Sequence, residues 1–175
     1  MTRSNQRKER VLAIDPTSRG FGYVLFEEPT ELLDWAVVET KASNDIQCLK
    51  RISELIQHYA PDVVALENHA GRGSRRRLRA RKLIDDVRAL AANNRTRTRS
   101  VSRAQVRSFF LQSNALTKHE IAMEIAKRLP ELAPRLPRFR KPWMTEDARM
   151  SIFDAASFAL TYFTEAEKPS GNVVQ

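Results

Sequence analysis

Two acids in this sequence stand where an acid is costly. In "VLAIDPTSRGFGYVLFE" (residues 11–27) four apolar residues run straight into Asp15, the chain turns, and a second apolar run begins. "DVVALE" (62–67) repeats the arrangement, with Glu67 closing an apolar run before a loop containing glycine. A buried carboxylate without a partner is expensive, so such a residue caps a turn, pairs with a cation or holds a metal. Clustered carboxylates repel one another, which points to Mg²⁺ or Mn²⁺ with phosphate oxygens completing the shell. A third candidate, Asp154, lies in "EDARMSIFDAASFALTYF". On a helical wheel the apolar centre is Ile152, Ala156, Ala159 and Phe163, and Asp154 shares the opposite stripe with Asp147, Ser151, Ser157 and Thr161. That stripe is either a solvent face or one wall of a site; Phe158 and Met150 within it favour the wall.

Charge points the same way. The net charge of +9 is concentrated between Arg72 and Arg103, where twelve Lys or Arg face only Asp85 and Asp86. That window carries +10, so the rest of the chain is close to neutral at −1. Such asymmetry marks a polyanion-binding surface, with nucleic acid ahead of an anionic membrane and of a merely solvated helix face. The candidate contacts are Arg72, Arg75, Arg76, Arg77, Arg79, Arg81 and Lys82.

The elements that position these residues follow from periodicity. Residues 1–9 read as a disordered basic arm, 10–165 as one domain and 166–175 as a loose tail. Strands are expected over about 10–15, 20–27 and 32–40, joined by short turns into an antiparallel meander. Ile46, Leu49, Ile52, Leu55, Ile56 and Tyr59 form the apolar face of a helix that Ser43 caps and Pro61 stops. Residues 62–67 are a strand covered on both faces. A basic helix over about 75–93 follows, then a fifth strand over 96–101 whose arginines imply a sheet edge. Ser102 caps the next helix, and Thr117 with Glu120 forms a capping box for another. The proline-rich stretch "PELAPRLPRFRKPW" is a loop, after which Thr145 caps a final helix to about 165. The whole reads as an α/β sheet layered with helices. A right-handed crossover sets strand 62–67 beside the first strand, with Asp15 and Glu67 at the same sheet edge.

Other classes are excluded. No run approaches the length of about 18 apolar residues that a membrane span needs, and the basic N-terminus lacks a signal peptide's apolar segment. The single cysteine, Cys48, supports neither a disulfide framework nor a zinc cluster, which suggests a reducing cytoplasm. No Ser-His-Asp arrangement is evident, and five glycines are too few for the phosphate loops of an actin-type ATPase.

"LAIDPTSRGFGYVLF", "DVVALEN" and "FDAASFALT" resemble the three acidic motifs of the RuvC-type Holliday junction resolvases of the ribonuclease H-like superfamily, over about residues 10–164. "SRAQVRSFF" and "NALTKHEIAMEIAKRL" resemble the family's Pro-x-x-Val-Lys segment and the basic residue opening its following helix. The resemblance implies a ribonuclease H-like five-stranded mixed sheet flanked by helices. It implies two divalent ions, Mg²⁺ or Mn²⁺, held by Asp15, Glu67 and Asp154, with Asp15 bridging them. DNA-contacting roles fall on Arg107 and Lys118, the latter near the scissile phosphate. The expected substrate is a four-way junction or other branched DNA, cut by a nucleoid-associated homodimer, with any motor partner unknown. An RNA-precursor nuclease and a non-catalytic nucleic-acid-binding protein are the rival functions.

The sequence departs from the family at three places. Thr17 replaces a glycine, and Ala70 stands where an aromatic residue is expected, followed by "GRGSRRRLRARK". Ser151 occupies the position of the family's fourth acid or histidine, and Asp147, one helical turn back, is the candidate substitute. His69 is a candidate for proton transfer or phosphate contact.

Overall fold

The structure is a computed structural model that describes residues 8–41, 44–70 and 77–167. Its centre is a five-stranded sheet in the order β3-β2-β1-β4-β5. Strands β1 (Val11–Pro16), β2 (Gly20–Glu28) and β3 (Glu31–Glu39) form the antiparallel meander. Helix α1 (Asp45–Tyr59) then carries the chain to β4 (Val63–Glu67), which lies parallel to β1. Helix α2 (Leu78–Asn93) leads to β5 (Arg97–Val101), parallel to β4 and at the edge, where its exposed Arg97 and Arg99 meet solvent. Helices α3 (Arg103–Leu111), α4 (Lys118–Arg128) and α5 (Met150–Glu167) complete the chain, with a 3₁₀ segment over Pro130–Arg135 inside the proline-rich stretch.

Strand alternation divides the core into two layers. Leu12 and Ile14 of β1, with Val64 and Leu66 of β4, pack against Ile52 of α1 and Leu83, Ile84 and Val87 of α2. Val11, Ala13, Val63 and Ala65 point the other way, toward Ala155, Ala156 and Ala159 of α5 and the apolar sides of α3 and α4. The alanines on both partners bring α5 close to the sheet. Every residue of α5 from Met150 to Phe163 is buried, so it is a central helix with no solvent face.

The helix starts follow their caps. Thr117 with Glu120 forms the expected capping box, and Ser102, expected as a cap, forms a second one with Gln105. Helix α1 is capped by Asn44, whose side chain accepts from the Gln47 amide at 3.1 Å; the expected cap, Ser43, lies outside the described residues. Thr145 does not cap α5, which begins five residues later at Met150. The first turn opens at Asp147 instead: its Oδ1 accepts from the Arg149 amide at 3.0 Å and its carbonyl accepts from the Met150 amide at 2.9 Å. Arg140 also donates to the Thr145 carbonyl at 2.6 Å, tying that residue to the preceding loop.

Two residues of the arm expected to be disordered are engaged: Lys8 donates to Glu31 at 2.7 Å, and Glu9 accepts from Tyr162 at 2.8 Å. Residues 1–7 and the tail from 168 lie outside the described residues. Among the described residues no helix is long and apolar enough to cross a membrane.

Candidate active site

The alternation that builds the core also aims the acids. Val11 and Ala13 face α5, so Asp15, the next residue in that phase, faces it too, and Glu67 follows Val63 and Ala65 in the same way. The parallel register pairs Ala13 with Ala65, so two residues on Asp15 and Glu67 lie level at the carboxyl ends of neighbouring strands. Asp154 meets them from α5. Gly22 of β2, paired with Asp15, permits this approach: a Cβ there would lie 2.6 Å from the backbone carbonyl carbon of Ser151. Asp15, Glu67 and Asp154 are only 3%, 1% and 5% exposed. The polar stripe of α5 is therefore a wall of the site and not a wet face. Its hydroxyls are satisfied within the helix, Ser157 donating to the Asp154 carbonyl at 2.6 Å and Thr161 to that of Ser157 at 2.7 Å.

A residue that was not among the sequence-based candidates, Arg103, sits among the three acids. Its Nη1 donates to Asp154 Oδ1 at 2.8 Å, and its Nη2 donates to Glu67 Oε2 at 3.1 Å and lies 3.8 Å from Asp15 Oδ1. The β5–α3 junction delivers it there: Val101 is level with Glu67, Ser102 caps the helix, and Arg103 is the first helical residue. Its guanidinium also lies over the buried Phe158 ring, 5.1 Å from the centroid. Lys118, the first residue of α4, approaches from the other side. Its Nζ is 2.7 Å from Asp154 Oδ2 and pairs also with Glu146. Burial works against the charge of Asp154, but Arg103 and Lys118 outweigh it and hold the carboxyl down at about 2. For Arg103 burial likewise opposes the charge, and Asp154, Asp15 and Glu67 overcome it, raising its pKa further.

Two cavities open onto this cluster. Glu67 and Asp154 line one of about 640 Å³ with Arg103, Arg107 and Lys118. Asp15 lines the other, of about 950 Å³, with Asp147, Ser151, Arg77, Arg79 and Arg140. Arg107 and Lys118, the two cations that the resemblance singled out, thus line the same cavity as Glu67 and Asp154. Asp147 is near but engaged: Arg149 donates to it at 2.7 Å and Arg140 at 3.3 Å, holding its carboxyl at about 2. Arg79 is held by Asp45 at 2.6 Å and by the Ser18 carbonyl at 2.5 Å, and Lys82 by Asp86 at 2.8 Å. Arg81 also has a partner. Arg72, Arg75 and Arg76 lie outside the described residues. His69 turns to Asp85, at 2.9 Å.

No protein-family model and no curated protein matches the chain. Solved structures do. RuvC of Thermus thermophilus aligns with a TM-score of 0.61 at 21% identity, over 90% of this chain and 95% of that one. The same enzyme in complex with a Holliday junction substrate aligns with a TM-score of 0.61 at 18% identity, over 90% and 94% of the two chains. The yeast mitochondrial Holliday junction resolvase Ydc2 aligns at 0.62 with 15% identity, over 89% of this chain and 78% of that one. The chain has the RuvC resolvase fold.

Within the RuvC fold the departure at Arg103 has a sequence signal. The segment Arg103-Ala104-Gln105-Val106-Arg107 puts arginine at the proline of the Pro-x-x-Val-Lys pattern. It was hidden because Arg103 closes the basic window and reads there as one more surface cation. Glu146, beside Lys118, had no signal at all. The donor set suits a hard divalent cation: three buried carboxylates, oxygen throughout, with a fourth at Glu146. Among the described residues, however, no three acidic, His or Cys side chains stand close enough together to hold an ion as they are. The Arg103 guanidinium lies between them.

Proposed function

We propose that this chain is a RuvC-type resolvase: a metal-dependent, structure-selective endonuclease that cleaves four-way junctions or other branched DNA as a homodimer. The observation that carries the reading is the convergence of Asp15, Glu67 and Asp154 from β1, β4 and α5 on one buried spot. Carboxylates so placed repel a phosphodiester unless cations intervene, which argues against a purely DNA-binding role. The solved RuvC that shares the fold was bound to a Holliday junction substrate.

Asp15, Glu67 and Asp154 are the residues that would hold Mg²⁺ or Mn²⁺. Bound there, such ions supply a lowered pKa for the attacking water and charge stabilisation at the leaving 3′ oxygen. The chain's own cations do the rest. Lys118, anchored between Asp154 and Glu146, presents its ammonium to the cavity as a donor to a non-bridging phosphate oxygen. Arg107, exposed on the same wall, holds a neighbouring phosphate and orients the strand. Symmetric cutting of a four-way junction requires two such sites related by a two-fold axis, hence the homodimer.

The test is cleavage of a labelled four-way junction in Mg²⁺, with binding measured separately. Asp15→Asn, Glu67→Gln and Asp154→Asn are each expected to lose about 100-fold or more in rate while still binding the junction. Asp147→Asn is expected to lose less than about tenfold, because Arg149 and Arg140 already occupy its carboxylate. Wild-type activity in Asp154→Asn would overturn the assignment of α5 to the site.

A further inference from the structure

We propose that Arg103 is a resident counter-cation, which occupies the ground between Asp15, Glu67 and Asp154 in the ion-free protein and competes with divalent cations for the same carboxylates. The inference rests on reading these acids as a divalent-ion site. Three observations carry it. Arg103 reaches all three acids, at 2.8, 3.1 and 3.8 Å, and so stands on the ground their carboxylates share. Both oxygens of Asp154 are engaged, Oδ1 by Arg103 and Oδ2 by Lys118, so an ion approaching Asp154 meets a resident cation at either oxygen. The resting place is built: the Ser102–Gln105 capping box fixes the start of α3, and the face of Phe158 supports the guanidinium.

The physical need is clear. Asp15, Glu67 and Asp154 are almost sealed from water, and buried charge that loses a compensating partner is strongly destabilising. Arg103 keeps the empty site folded. A divalent ion binds carboxylate oxygens at about 2.0–2.6 Å, which leaves no room for the guanidinium among them. The displaced side chain has somewhere to go, because Arg103 also lines the cavity that holds Arg107 and Lys118. A phosphodiester entering that cavity offers a planar guanidinium a bidentate partner. Ion uptake and phosphate binding therefore assist each other, a coupling that is reciprocal. Arg103 is thus a positioning residue that restrains ion loading until substrate arrives.

The test is Mn²⁺ binding to the full chain without DNA, followed by electron paramagnetic resonance, with thermal unfolding in parallel. Arg103→Met is expected to bind Mn²⁺ about tenfold or more tightly than wild type, with Arg103→Lys between them. Arg103→Met should also unfold at a lower temperature without ions and recover more of its midpoint in Mg²⁺ than wild type does. Should Arg103→Met fold only when Mg²⁺ is present, the proposal is likewise supported, and Arg103→Lys supplies the affinity. Equal or weaker Mn²⁺ binding by folded variants overturns the proposal and leaves the ion site standing. No Mn²⁺ binding by wild type or either variant overturns the ion-site reading, and the proposal with it.

Discussion

Arg103 and Lys118 face carboxylates that water scarcely reaches, whereas Lys82 and Arg88 of the basic helix α2 face Asp86 and Asp85 on an open surface. The pairs are equally close, at 2.7–2.9 Å, yet their physics differs. At the surface, water and salt screen the attraction and side-chain entropy offsets most of what remains. In the site each charge has given up its hydration, so the cluster is stable only while its members compensate one another. The exposed pairs of Lys82 and Arg88 therefore contribute little to stability, and the two cations of the buried cluster contribute much.

The largest effect that separates these regions is on stability. Removing Arg103 takes a cation away from three buried carboxylates, and Arg103→Ala is expected to cost about 3–5 kcal/mol in metal-free urea unfolding. Lys82→Ala, measured alongside, is expected to leave the midpoint unchanged. Similar losses for the two variants would break the distinction between the regions.

A smaller effect appears in acid. Asp154 is held near 2 against burial by Arg103 and Lys118, and Asp85 is also held below the usual carboxylate range, chiefly by its hydrogen bond to His69. A depressed carboxyl contributes stability above its unfolded pKa of about 4, and that contribution is lost as pH falls through the folded value. Wild type should therefore lose stability between about pH 4 and 2, and Asp154→Asn should lose less over that window. High salt should erase the Asp85 contribution and spare that of Asp154, because only the exposed pair is screened. Acid unfolding of wild type, Asp154→Asn and Asp85→Asn at low and high salt checks both statements.

The same contrast explains what was legible beforehand. Strand and helix positions were readable because period-two and period-3.6 patterns are local, and so were the caps at Ser102 and Thr117. Asp15 and Glu67 stood out because an acid ending an apolar run conflicts with its own surroundings. Asp154 was ambiguous on the wheel, since a helix covered by sheet, α3 and α4 buries a stripe that would be wet on a surface helix. The start of α5 was misjudged because the Asp147 turn depends on a side chain holding its own backbone. Arg103 was missed for a non-local reason. Its environment is made by β1, β4 and α5, none of which is near it in sequence.

The last and smallest effect sharpens the comparison from the side of α2. From sequence the whole segment Arg72–Lys82 is a phosphate-binding arm. In the structure its members divide: Arg79 is bound to Asp45 and the Ser18 carbonyl, tying α2 to α1 and to the β1–β2 turn, whereas Arg77 lines the cavity that Asp15 opens onto. An arginine already committed to a carboxylate releases little counterion when DNA binds, while one that neutralises a phosphate steepens the log–log salt dependence by about 0.9. Replacing Arg75, Arg76 and Arg77 together by Ala should therefore lower the slope of junction binding by up to about 2–3, uniformly across sequences. Arg79→Ala should leave the slope almost unchanged, because its loss acts on the packing of α2 and not on phosphate. Fluorescence anisotropy with a labelled junction between about 50 and 200 mM salt, without divalent ions, measures both. An unchanged slope in the triple variant would make this end of α2 a solvated face, leaving Arg107 and Lys118 as the cations that meet DNA.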